Sequence, residues 1–166
     1  MEPKVLELAS SGDKESQKKV FEELYGKLHG ISMRYADSSK EASEFTTEIF
    51  KIIFDRIKSE RPIDLIIWAR SIAIDYCCKE IISRPGILSE MKEDVNFEKN
   101  ASNEVMLEMI RELPSKSRVI FNLVVIDDRE LSDVAKMFNA HISFVEDQRA
   151  KASNELKHKM ASLSLN

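Results

Sequence analysis

The stretch from Leu113 to Met160 constrains this chain more than any other. A Leu113-Pro114 pair opens a helix, since proline fits the first helical turn. An apolar run, Val119 to Ile126, fills it, and the acidic turn Asp127-Asp128-Arg129-Glu130 ends it. A brief helix follows, with Val134, Ala135, Met137 and Phe138 at helical spacing. Asn139 then supplies a residue that tolerates positive φ. A longer amphipathic helix comes last. Short helix, tight turn and longer helix are the order of a helix-turn-helix, the unit that lays its second helix in a DNA groove.

The rest of the chain is also read as helical. With only 4 Gly and 4 Pro in 166 residues there is little material for the many turns a sheet protein needs. Ser16 to Tyr35 carries Val20, Phe21, Leu24, Leu28, Ile31 and Met33 near one buried stripe. Asp37-Ser38-Ser39 forms a turn in which Ser38 or Ser39 can cap the next helix. That helix runs to about Ile57, with Ala42, Phe45, Ile49 and Ile53 inward and Phe50 and Phe54 beside them. Arg61-Pro62 breaks it. A third helix, from Ile63 or Asp64 to about Ile82, carries Leu65, Ile66, Trp68, Ala69, Ile72, Ala73 and Tyr76, and Arg84-Pro85-Gly86 ends it. Residues 85–100 are polar, mixed in charge and without a period, as expected of a flexible linker. The expected architecture is therefore all-α: a helical domain over 1–84, a linker over 85–100, and a helix-turn-helix domain over 101–166.

Charge limits what this chain can bind alone. Residues 1–84 hold 14 basic and 15 acidic groups, residues 85–100 hold 2 and 4, and residues 101–166 hold 9 and 10. No segment offers the positive field that dominates non-specific phosphate binding. DNA binding is then weak in isolation, or borrowed from a partner that supplies the charge. No apolar run approaches the ~18 residues of a membrane span, and the polar N-terminus lacks a signal-peptide core, so a cytoplasmic protein is expected. Cys77 and Cys78 read as two buried thiols, because two neighbouring cysteines cannot make a disulfide framework. An enzyme is not expected. His29, His141 and His158 are scattered, and the chain has no metal-ligand spacing and no glycine-rich phosphate loop, so neither cofactor nor metal is implied. His141, just before the last helix, is expected to cap it or face solvent.

The order of parts resembles the short, two-domain sigma factors of bacterial RNA polymerase, the extracytoplasmic-function group. Phe21, Leu24, Tyr25, Ala42, Glu48, Ile49 and Phe50 fall on matching positions of the first domain, followed by Trp68, Ile72 and Ala73. In the second domain Leu113, Pro114, Arg118, Ile120, Phe121 and Leu123 match, and then Val134, Ala135, Val145, Ala152 and Leu156. The resemblance implies a sigma factor that directs core polymerase to promoters. The helix from Glu41 to Ile57, through Glu41, Glu44, Glu48, Lys51 and Asp55, would dock on the polymerase β′ clamp helices. The helix from Asp64 to Ile82 and the turn before it would take the minus-ten element as unpaired bases, with Arg70, Lys79 and Arg84 on nucleic acid. The last helix would read the minus-thirty-five element through Glu146, Gln148, Lys151 and Asn154. An anti-sigma factor is the further partner implied.

The sequence departs from that family where DNA is expected. The run DYCCKEIISR holds only Lys79 and Arg84 as cations, where the family is rich in them, and Asp75 stands in place of the family's usual Asn. Glu146 and Asp147 replace basic and small residues. They read either as acceptors for cytosine N4 or as helix-start acids favoured by the macrodipole that weaken DNA contact. Arg149 takes an inner position that the family fills with Leu. The acidic turn at 127–130 lacks the family's Gly and is expected to be more extended. These departures keep an alternative in view: a sigma-like protein that binds an anti-sigma factor or polymerase without reading DNA.

Overall fold

A computed structural model describes residues 3–85 and 102–164. Every regular element among the described residues is a helix, with no strand among them. The helices are α1 (Pro3–Ser10), α2 (Lys14–Tyr35), α3 (Ser39–Glu60), α4 (Leu65–Ile82), α5 (Ser102–Glu112), α6 (Ser115–Phe121), α7 (Leu131–Met137) and α8 (Ile142–Ser164). The chain divides into two compact units, Met1–Lys79 and Glu80–Asn166. Apart from Pro85, the expected linker lies outside the described residues. None of the described helices is long and apolar enough to cross a membrane.

In the first unit α2 and α3 pack along their length, and α1 rests on both. Alpha-1 was not foreseen as a separate helix. It ends at Gly12, whose φ of 95° only glycine adopts without strain. Asp13 N–H reaches back to Leu8 C=O at 3.0 Å, and the Asp13 carboxylate accepts from Ser16 N–H at 2.8 Å. One residue thus closes α1 and caps α2. Hydrogen bonding from the Ser16 side chain foremost, and then from its N–H, holds the Asp13 carboxyl below its ordinary pKa.

The stripe of α2 is Val20, Leu24, Leu28, Ile31 and Tyr35. Phe21 and Met33, expected in that stripe, sit off it. Phe21 is 40% exposed and lies against Phe50 (4.5 Å between ring centroids) and Tyr25 (5.1 Å). At ~100° per residue, Phe21 points away from the line that Val20 occupies. Alpha-3 buries Ala42, Phe45, Ile49, Phe50, Ile53 and Ile57. Ser38 caps it by accepting from Glu41 N–H at 3.1 Å, and Arg61, at φ 41°, ends it before Pro62. A polar seam crosses the α2–α3 contact. Thr46 Oγ1 donates to Ala42 C=O at 2.7 Å and lies 3.1 Å from both Ser32 Oγ and His29 Nδ1. Each buried hydroxyl therefore has a partner, as burial requires.

Alpha-4 is buried on two sides, by Leu65, Ala69, Ile72 and Ala73 on one and by Ile74, Cys77, Cys78 and Ile81 on the other. Cys77 and Cys78 are both buried, and neither is in a disulfide. Tyr76 meets Phe45 of α3 edge-on at 5.7 Å. Trp68, expected in the core, is only half-buried, and its indole N–H donates to Glu60 at 2.7 Å.

The second unit closes around α8. Met109, Ile110 and Leu113 form a core with Ala152 and Leu156, covered by Val105, Met106 and Phe121. Alpha-6 and α7 also pack on α8. Arg118 is fully buried and donates to Arg111 C=O at 2.6 Å, tying α6 to the end of α5. Lys159 completes the closure with Glu112 at 2.8 Å and Glu155 at 3.2 Å. Burial pushes the Lys159 ammonium down, but the hydrogen bonds to Glu112 and Glu155 outweigh it and leave the pKa above the ordinary 10.5.

A lysine raised in the folded state contributes stability that is complete below its unfolded pKa and is lost as pH rises through the folded one. Urea unfolding of the wild type is therefore expected to show a fall in stability above pH 10.5 that is smaller in Lys159→Gln. Parallel pH curves for the two proteins would remove this ion pair as a stabilising contact.

Candidate nucleic-acid interface

The helix-turn-helix is assembled by backbone chemistry at each junction. After Phe121 the helix widens into a π turn over Asn122–Ile126, where the β-branched run Val124-Val125-Ile126 resists tight helical packing. Asp127 N–H donates five residues back to Asn122 C=O at 2.8 Å, and Arg129 N–H donates to Leu123 C=O at 2.8 Å. Asp128 takes φ 53°. The acidic turn is thus folded back onto the helix end rather than extended, and Asp128 adopts the left-handed conformation that glycine would favour. Asn139 takes φ 48° after α7. Ala140 N–H bonds to Ala135 C=O at 2.9 Å and Asn139 N–H to Lys136 C=O at 3.1 Å, the double closure of a Schellman motif. His141 then caps α8, its Nδ1 accepting from Ser143 N–H at 3.3 Å.

The roll of α8 decides which side chains meet a ligand. Val145, Ala152 and Leu156 are buried. Between them Gln148 turns inward, and its amide oxygen accepts from Ser117 Oγ of α6 at 2.9 Å. Arg149, expected on the inner face, is exposed. The physical reason is that positions 148 and 149 both suit a stripe through 145, 152 and 156. A neutral amide with a partner costs less to bury than a guanidinium without one.

This arrangement separates the four α8 residues picked for DNA. Glu146, Lys151 and Asn154 are exposed, while Gln148 is half-buried and engaged with Ser117. At ~100° per residue, the line that points most directly outward runs through Ser143 and Asn154, with Ala150 nearby. Glu146 and Asp147 lie on either side of it. Neither acid belongs to the first turn of α8, which holds no acidic residue. The macrodipole acts mainly within that turn, so it does not explain them.

The three cations chosen around α4 are not gathered. Arg70 and Lys79 are both exposed but nine residues apart, about half a turn out of phase, and so on opposite sides of the helix. Arg84 is half-buried beyond the helix end. The sequence reading missed a different feature of the same corner. Ile63 is wholly exposed and Ile67 is 69% exposed, beside the half-buried Trp68. Both isoleucines stand off the stripe of Leu65, Ala69 and Ile72, and that mismatch was the available signal. Glu60 anchors the corner. Its carboxylate accepts from Arg56 at 2.6 Å and from Trp68, and these bonds, the Arg56 one foremost, hold its pKa below the ordinary value.

On α3 the five residues chosen for a protein partner share one face, spanning about 80° at ~100° per residue, opposite the buried stripe. Glu44, Lys51 and Asp55 are exposed, and Glu41 and Glu48 partly so. Lys51 pairs with Glu48 at 2.6 Å, and Glu41 accepts from Asp37 N–H at 2.6 Å. The face is acidic in balance.

No protein-family model matches the chain, and no curated protein matches it.

Removing the Gln148 amide leaves the Ser117 hydroxyl, only 7% exposed, without its acceptor, a loss of about 1–3 kcal/mol. Gln148→Ala is expected to lower stability by that order in urea unfolding, whereas Lys151→Ala stays within about 0.5 kcal/mol of wild type. Equal stabilities would mean that Gln148 does not set the roll of α8.

Proposed function

We propose that this chain is a divergent sigma factor of the extracytoplasmic-function type, which binds RNA polymerase core in the cytoplasm and directs it to promoters without catalysis of its own. The observation that carries the reading is the helix-turn-helix of α7 and α8. Its turn is closed at Asn139, and its second helix presents Glu146, Lys151 and Asn154 to solvent. Polar residues on an exposed second helix can reach base edges and phosphates in a major groove.

Two features of the first unit support the same reading. The acidic face of α3 suits docking against a basic helical partner, which is the role the β′ clamp helices would play. The exposed Ile63 and Ile67, with the edge of Trp68, offer apolar surface to bases taken out of a duplex, beside Arg70. The near-neutral charge is tolerable if the polymerase supplies most of the positive groove. An anti-sigma factor is the partner expected to hold the chain inactive.

The placement of Arg70 and Lys79 on opposite sides of α4 favours a second reading. A sigma-like protein that keeps the α3 surface but lacks a coherent cationic track would dock on polymerase or an anti-sigma factor without choosing promoters.

Pull-down of core polymerase, followed by run-off transcription on genomic fragments, separates these readings. Core binding with reproducible new start sites is expected. Core binding without initiation would favour the DNA-blind protein, and no core binding would exclude the polymerase role. In promoter-binding titrations, Lys151→Ala is expected to weaken affinity for all sequences and reduce the salt slope by about one phosphate contact. An unchanged slope would take Lys151 out of the interface.

A further inference from the structure

The outward face of α8 has a composition that simple phosphate binding does not explain. Ser143 and Asn154 lie at its centre with Ala150 beside them, and the small side chains of Ser143 and Ala150 allow the helix axis to come close to base edges. Glu146 stands beside that line in the second turn, exposed and without a hydrogen bond or ion pair among the described residues. Some helix acids of this chain are matched to a cation three or four positions away, as Glu15 with Lys19, Glu22 with Lys18, Glu23 with Lys27 and Glu48 with Lys51 are, while Glu7, Asp55, Glu108 and Asp147 share the unpaired state of Glu146. At Glu146 the corresponding places hold Ile142, Ser143, Arg149 and Ala150, and Arg149 does not pair with it. The first-turn dipole does not reach Glu146 either. Local helix energetics therefore give no reason for this carboxylate.

The roll of α8 is held independently by the Val145, Ala152 and Leu156 burial and by the Gln148–Ser117 hydrogen bond. Glu146 is consequently delivered to the outer surface by the packing, not by rotation of a free helix. An ionised carboxylate only accepts hydrogen bonds. In a major groove the base edge that presents a donor without a neighbouring N7 acceptor is cytosine, through its N4 amino group. Guanine and thymine present acceptors there and would be repelled.

We infer that Glu146 is a specificity-determining residue that selects cytosine in duplex DNA, an inference that rests on the promoter-reading role of α8 proposed above. Its cost is a general repulsion from phosphate. Lys151 partly offsets it, and a polymerase partner would supply the remainder.

The test follows from the chemistry of one atom. Glutamine keeps the length of glutamate but pairs with adenine N6 and N7 through both a donor and an acceptor. Duplexes randomised over a short window are selected by the full chain, with and without core polymerase, using wild type and Glu146→Gln. Wild type is expected to enrich cytosine at one position by about tenfold, and Glu146→Gln to move that one position towards adenine while its neighbours keep their preferences. If Glu146→Gln tightens binding to every sequence alike and leaves all base preferences unchanged, the acid only repels and this inference is overturned while promoter reading stands. If wild type selects no sequence in either condition, promoter reading and this inference fall together.

Discussion

The contact between α6 and α8 governs the second unit of this molecule. Val145, Ala152 and Leu156 give α8 an apolar seam, and Gln148 adds one directional bond to Ser117 within it. Apolar burial alone is non-directional and leaves a helix some freedom to roll. A hydrogen bond to a buried hydroxyl does not, because an unpaired Ser117 is costly. Once that bond is made, the outward arc of α8 follows: Ser143, Glu146, Asp147, Ala150 and Asn154. The same constraint sends Arg149 to solvent.

The second unit relies on buried polar groups as well as apolar ones. Beside its apolar core, Ser115, Ser117 and Arg118 of α6 and Asn122 just after it are also buried. Arg118 reaches the last turn of α5, Gln148 joins α8 to α6, and the Lys159–Glu112 pair joins α8 to α5. Buried polar bonds of this kind specify one arrangement of short helices where a purely apolar core would accept several. The turns obey the same economy. Asp128 and Asn139 hold positive φ where glycine is the usual choice, and the chain spends its few glycines elsewhere.

The first unit divides its surfaces more cleanly. Alpha-3 presents an acidic face opposite its core stripe, and the α3–α4 corner presents Ile63 and Ile67 around the Glu60–Trp68 anchor. Only the first of these was visible as a pattern. A helix face repeats every three or four residues and can be counted along the chain, so Glu41, Glu44, Glu48, Lys51 and Asp55 were recognisable as one surface. An exposed isoleucine carries a fainter mark: Ile63 and Ile67 stand off the stripe of Leu65, Ala69 and Ile72, but only the placed neighbours show that nothing covers them. Phe21 misled for the related reason that an aromatic residue one position from the stripe still scores as part of it.

By itself the sequence determined the helical class, the main helix borders, a serine cap at Ser38 or Ser39, the breaks at Arg61-Pro62 and after Ile82, and the positive φ at Asn139. All of these depend on interactions within a few residues, and short-range stereochemistry is written directly in residue type. Only the tertiary structure decided the roll of α8, the exposure of Arg149, the engagement of Gln148 and the separation of Arg70 from Lys79. Two adjacent positions can satisfy the same hydrophobic period, and the choice between them belongs to a partner on another helix. Here that partner is Ser117, thirty-one residues away in the chain.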